Sequence, residues 1–288
     1  MRRARFMSGA AALWLVPQAC AAANPNNAIE AAARRLSGTL GVYAGTLASN
    51  EPLVAYRSDE IFPTASIIKV LIMATAYAMD EFQPGTLSDE IVFDRPGDLI
   101  GGSDFMWNQP NGARFSVRQL IVPMIQVSDN TAANMLIEHF GVDTINGVGT
   151  DAGLAQTHLQ RKFLDWYAIV RHSQNVSTPA DMARLLYLIE SGAHEGTRTI
   201  VSAPYCRTMV NIMLGQTDRD AIPAALPVGT PIANKTGEID GTRDDVAIVD
   251  PYGTSPLILT VMTKAAYDYA ASYAAIHAIA RDVYAAAR

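Results

Sequence analysis

The stretch Thr64-Ala65-Ser66-Ile67-Ile68-Lys69, with the run Val70-Leu71-Ile72-Met73-Ala74-Thr75-Ala76 behind it, decides how this chain is read. On a helix, residues three apart are neighbours about one turn from each other, so Ser66 and Lys69 share a face. The run has almost no polar side, which predicts a buried helix. A buried ammonium without a partner is costly, so Lys69 needs a reason to be there. One reason is chemical: a serine nucleophile at a helix N-terminus, with a lysine that takes its proton. The plain alternative is an N-cap serine followed by an ordinary lysine. Both residues are common enough for the spacing to arise by chance.

Upstream of this stretch, residues 28–36 read as a short helix and residues 38–47 alternate as a strand does. Ser49-Asn50-Glu51-Pro52 is turn chemistry, and residues 53–56 return as the second strand of a hairpin. Downstream, apolar residues recur at helical spacing over 117–126, 131–140 and 179–190. Two long segments with poor periodicity, 94–112 and 159–177, separate them; loops of this length in a compact domain are usually functional. Beyond Pro227 come three strand-like runs, 231–239, 243–250 and 257–264, and an Ala-rich closing helix over 265–288. Strands therefore flank a helical middle. The predicted fold is α/β: one antiparallel sheet built from both ends of the chain, flanked by the terminal helices, with an all-helical domain inserted. The expected division is a discontinuous sheet domain (24–65 and 215–288) around a helical domain (66–214).

Half of the chain is apolar (49%) and 17% is charged, as in a well-packed enzyme. The formal net charge is −6, with no basic run beyond the extreme N-terminus, so nucleic-acid binding has no electrostatic support. Arg2, Arg3 and Arg5, the apolar residues 7–16 and Ala21-Ala22-Ala23 read as an export signal spanning 1–23. Its apolar core is too short to span a bilayer. The expectation is an exported, periplasmic protein whose formal charge, without those three arginines, is −9. Cys20 is a candidate lipidation site, although Pro17 and Gln18 fit a lipobox poorly. After cleavage only Cys206 remains, so no intramolecular disulfide forms, and a monomer is expected. The five histidines lack ligand spacing, and neither a metal site nor a cofactor is read.

Two more motifs join the first. Ser128-Asp129-Asn130 opens the helix over 131–140, and Lys235-Thr236-Gly237 lies in a strand. Separately they read as a helix cap and as an edge-strand lysine beside a bulge glycine. In this order and context the three together resemble the class A β-lactamases and related penicillin-binding proteins. Thr131-Ala132-Ala133-Asn134 and Ser177-Thr178-Pro179-Ala180-Asp181-Met182 extend the resemblance over nearly all of the mature chain.

What the resemblance implies is an acyl-serine hydrolase acting on a β-lactam or a D-Ala-D-Ala peptide. Ser66 would be acylated, Lys69 would accept or relay its proton, and Ser128 would pass a proton to the leaving nitrogen. Asn130 would hold Lys69 and the substrate amide, and Lys235 would add positive potential beside Ser128. Thr236 and Arg243 would bind the substrate carboxylate along the Gly237 strand, Arg243 bidentately. The backbone N–H groups of Ser66 and Glu238 would form the oxyanion hole.

In one place the sequence departs from the family. Its members carry, on a loop between the second and third motifs, a glutamate that hydrolyses the acyl-enzyme through a water. With Arg161 aligned to that loop's arginine, Phe163 falls where the glutamate should be. Tyr167 takes the place of a water-holding asparagine, and Asn175 that of the aspartate paired with the arginine. Asp165 is the only nearby carboxylate and the candidate substitute base. Three readings follow: an acyl-serine enzyme that deacylates slowly, an active β-lactamase with a rearranged loop, and a sensor that is acylated without turnover.

Overall fold

The computed structural model describes residues 25–49 and 51–288; the expected export signal, with Cys20, lies outside them. A five-stranded sheet carries the fold: β1 (Thr39–Thr46), β2 (Val54–Tyr56), β3 (Ile232–Ile239), β4 (Thr242–Val249) and β5 (Leu257–Lys264). Their spatial order is β2-β1-β5-β4-β3, and every pairing is antiparallel. The two ends of the chain meet at β1 and β5, which pair from Thr39↔Lys264 to Thr46↔Leu257. The central strands are buried on both faces, so Val246 to Val249 and most of β5 are apolar rather than alternating.

Alternate side chains feed two cores, as the period of two in a strand requires. Ala247 and Val249 on β4 join Leu257, Leu259 and Val261 on β5 and meet helices Pro25–Arg35 and Tyr269–Ala286 through Ile29, Ile276, Ile279 and Val283. Val246 and Ile248 face the other way, toward helices Pro179–Glu195 and Ala203–Leu214. The second core continues into the middle of the chain around the helix Lys69–Phe82, in which every residue from Lys69 to Tyr77 is buried.

The expected strand–helix–strand layout is therefore found, with three differences. The helix after Ser66 begins at Lys69. Residues 64–68 form a tighter turn, with Ile67 N–H bonded to the Thr64 carbonyl and Lys69 N–H to that of Ser66. Helices Val142–Asp151 and Ala203–Leu214 were not read from periodicity. In the first, Gly147 and Gly149 weaken the helical signal; a Cβ on Gly149 would lie 3.3 Å from Leu71, so the glycine permits close helix contact. Finally, the middle is not all helical: Glu90–Val92 pairs with Arg114–Ser116, and Phe62–Pro63 with Val176–Ser177. The second ladder ties the entry to the Ser66 turn to the far end of the 159–177 loop.

Among the described residues no helix is long and apolar enough to cross a membrane, and no three His, Cys, Asp or Glu side chains group as metal ligands.

Glu190, on the helix Pro179–Glu195, is fully buried. Its Oε1 accepts from the Tyr252 N–H at 3.0 Å, while Oε2 has no partner. Burial, with Asp250 nearby, pushes its carboxyl up from 4.5 to about 7. Between those pH values the folded chain holds a proton that the unfolded chain has lost, so stability falls as pH rises through that window. Urea unfolding should show a loss of about 2–3 kcal/mol from this group between pH 4.5 and 8. Glu190→Gln should remove that part of the pH dependence.

Candidate active site

The turn at 64–68 fixes the first pair. With i→i+3 bonds, side chains three apart eclipse one another, so Ser66 stands over Lys69 more squarely than in an α-helix. The residue before it, Ala65, has φ of +41°, in the left-handed region that L-residues avoid. Strain of about 1–3 kcal/mol at such a position persists only where its surroundings hold it. Gly237 is part of that hold. A Cβ there would lie 2.8 Å from the Thr64 carbonyl oxygen and 3.3 Å from the Ala65 Cβ. The missing side chain lets edge strand β3 lie directly against the Ser66 turn.

Lys69 is fully buried. Its Nζ donates to the Ser128 carbonyl at 2.6 Å and to Asn130 Oδ1 at 2.8 Å, and lies 3.2 Å from Ser128 Oγ. The face of the Phe163 ring covers it, with the centroid 4.3 Å from Nζ. Lys235, also fully buried, donates to the same Ser128 Oγ at 3.0 Å and to the Thr236 carbonyl at 2.8 Å. One hydroxyl oxygen thus joins two lysines. Burial, and then the charge of Lys235, hold the Lys69 ammonium well below its usual pKa, against the opposing pull of Asp129. Burial likewise lowers Lys235 to about 8, with Asp245, Asp218 and Glu238 opposing.

This arrangement can move a proton. A neutral Lys69 spends two N–H bonds on the carbonyl oxygens of Ser128 and Asn130, which are pure acceptors. Its lone pair is then left for a hydroxyl, and that of Ser128, 3.2 Å away, is at hand.

The Ser128 segment is fixed on all sides. Ser128 sits at φ +57° and so presents both its carbonyl and its hydroxyl to Lys69. The buried Asp129 carboxylate caps the helix Asn130–Phe140 by accepting from Ala132 N–H, and also takes the Met106 N–H. Asn130 Nδ2 donates to the Gly101 carbonyl, which sets the orientation of its amide. Gly102, at φ +65°, leaves the room that amide needs.

On the other side of the site, Glu238 and Arg243 are opposed across β3 and β4. The guanidinium lies 3.7 Å above the Tyr269 ring. Thr236 is buried beside Lys235 on β3.

The 159–177 loop closes the site over Lys69. Asn134 accepts from the Phe163 N–H at 2.8 Å and donates to its carbonyl at 3.0 Å, clamping the backbone whose ring covers the ammonium. Leu164 follows at φ +54°. Asn175 Oδ1 takes the N–H groups of Gln160 and Arg161, and its Nδ2 returns to the Arg161 carbonyl. The Arg161 guanidinium reaches Ser173, Lys162 and Gln174 instead. Asp165 is engaged locally: its Oδ1 accepts from Ala168 N–H and caps the short helix Trp166–Val170. Tyr167 is exposed and stacks with Arg171.

So Ser66, Lys69, Ser128, Asn130, Lys235, Thr236 and Gly237 converge, with the Glu238–Arg243 pair at the rim. Three contributors are given no role by the sequence reading, although Asn134 lies in one of its motifs. Asn134 signals itself as a polar residue on the buried side of a helix, and Tyr269 and Tyr273 as an i,i+4 aromatic pair on an Ala-rich one. Asn134→Ala should leave the Phe163 N–H and carbonyl unpaired. The expected cost is about 2–3 kcal/mol in thermal or urea unfolding, with faster proteolytic cleavage between 159 and 177.

The family described as the β-lactamase enzyme family matches residues 24–287. The chain is 31% identical over 265 residues to β-lactamase CTX-M-25 of Escherichia coli, covering 90% of this chain and 88% of that protein. It is 29% identical over 233 residues to the carbapenem-hydrolyzing β-lactamase KPC of Klebsiella oxytoca, covering 79% and 76%. Among solved structures, a leucine-to-glutamate mutant of PBP-A, an acyl-enzyme complex with penicillin G, superposes with a TM-score of 0.79 at 26% identity, covering 90% of this chain and 94% of that one. A β-lactamase from Burkholderia phymatum superposes at 0.80 with 27% identity, covering 91% and 97%.

Proposed function

The chain belongs to the β-lactamase enzyme family and is a serine hydrolase, and we propose that it is acylated at Ser66 by β-lactams and releases the acyl group slowly. The observation that carries the second half is the Phe163 ring over the Lys69 ammonium; the resemblance aligns this loop position with the family's water-activating glutamate.

In this reading Ser66 Oγ attacks the lactam carbonyl and gives its proton to Lys69. The C–N bond then breaks as Ser128, between the two lysines, passes a proton to the leaving nitrogen. The electrophile's oxygen is held by the N–H groups of Ser66 and Glu238, on the two segments that Gly237 lets approach each other. Thr236 and Arg243 take the substrate carboxylate. Every group that this half of the reaction needs is present.

Hydrolysis of the ester needs a base that holds one water. Phe163 accepts no proton, and the Asn134 clamp keeps its ring over the ammonium. Asp165 is the alternative base, but its carboxylate is committed to the Ala168 N–H. That a leucine-to-glutamate mutant of PBP-A is known as an acyl-enzyme with penicillin G makes the likeness to that protein pertinent here. A D-Ala-D-Ala peptide is then the natural substrate in this reading, and the chain acts as an exported monomer after losing residues 1–23. The curated relatives named as β-lactamases favour the second reading, an active β-lactamase with a rearranged loop.

Intact mass spectrometry separates the two. A penicillin should add its full mass to the protein for minutes or longer, and Ser66→Ala should abolish the adduct. General-base assistance contributes roughly 10²–10⁴-fold, so Phe163→Glu should raise steady-state turnover by about tenfold or more. Rapid turnover by the unmodified chain, with no adduct seen, would transfer the base's role to Asp165 or another group.

The pH profile of acylation tests the lysine roles. The rate should rise as Lys69 loses its proton, well below the usual lysine range, and fall again at about pH 8 as Lys235 loses its charge. A profile still climbing at pH 10 would contradict this assignment.

A further inference from the structure

Arg243, the cation that the proposed function assigns to the substrate carboxylate, already has an anion on it. Glu238 is its direct cross-strand partner, with Oε1 3.6 Å from Nε. That oxygen also accepts a hydrogen bond from the Tyr273 hydroxyl. Tyr273 lies one turn beyond Tyr269, whose ring carries the guanidinium at 3.7 Å. One face of the closing helix therefore supports both ions of the pair. Arg243 Nη1 is spent on the carbonyls of Ile239 and Thr242, and Nε is buried without an acceptor at hydrogen-bond distance. The Arg243 side chain is 14% exposed and that of Glu238 45% exposed, so the anion is the more accessible member of the pair.

A surface ion pair with no other tie would be of little consequence. Here the acid is fixed by a hydroxyl from a different element, and the base by a ring and two carbonyls, so neither side chain swings away freely. A carboxylate arriving at Arg243 meets a second carboxylate at close range, and like charges at such distances repel.

We propose that Glu238 is a specificity-determining residue: it partly neutralises Arg243 and so reduces the rate advantage that a substrate's carboxylate gains there over an uncharged group. Tyr273 is the positioning residue that keeps it in place. This inference rests on the acyl-serine reading of Ser66.

The test compares a penicillin with its methyl ester, which lacks the charge. Second-order rates of adduct formation at Ser66 are measured by intact mass for the unmodified chain and for Glu238→Gln. The glutamine can still accept from the Tyr273 hydroxyl, so the variant changes charge more than shape. The acid-to-ester rate ratio should rise about three- to tenfold, a range reduced to allow for the exposure of Glu238. The gain should shrink in about 1 M salt, where the screening length is ~3 Å. Tyr273→Phe, which frees the carboxylate without removing it, should raise the ratio by less. If both compounds label Ser66 and Glu238→Gln leaves the ratio unmoved or lowers it, the proposal is overturned and the acyl-serine reading stands. If neither compound labels the protein, both fall together.

Discussion

Two lysine ammonium groups, both withdrawn from water and sharing one serine hydroxyl, set the terms for the rest of this structure. Burying an isolated ammonium is among the costliest acts in folding. Lys69 and Lys235 come from distant parts of the chain, one from the central helix and one from an edge strand. Bringing both to Ser128 requires the helical middle and the sheet to meet at one point. That point is where the irregular backbone collects: Ala65, Ser128 and Leu164 all take positive φ, and Gly102 and Gly237 leave gaps that only a glycine allows. The regular elements behind them, packed into two continuous cores, hold the strain in place.

The acids that balance these cations are kept away from the Ser128 hydroxyl. Asp129 spends both oxygens on backbone N–H groups. Behind Lys235, the buried Asp245 is bound by Asn234 and the Ile222 N–H, and burial raises it to about 7. Burial also pushes the Asp244 carboxyl, next to it, well above the usual carboxylate range. Compensation thus comes from partial and remote charge rather than from a direct carboxylate partner. Burial therefore leaves both lysines below the usual lysine range.

The 159–177 loop follows the same economy. Its base is closed by the Asn175 amide and its arginine is held by carbonyl and amide oxygens, without an ion pair across the neck. Over Lys69 it offers an aromatic face, which favours the cation without accepting its proton. Above Lys69 this loop therefore places a ring rather than a carboxylate.

Much of this was legible in the residues. The apolar run after Lys69 predicts a buried helix, because a helix without a polar face has nowhere else to go. The β-branched runs at both ends predict one shared sheet, because such strands need cover on both faces. Ser66, Lys69, Ser128, Asn130 and Lys235 stand out through the order of three motifs and the family resemblance which that order carries. What sequence alone could not determine are the relations between side chains from separate elements. The Phe163 ring over Lys69, the Asn134 clamp beneath it, the capping role of Asp165 and the Glu238–Arg243–Tyr273 cluster depend on strand register and loop path. Local patterns encode neither. Periodicity reports which face of an element is buried; which partner lies against that face is decided only when the two cores close.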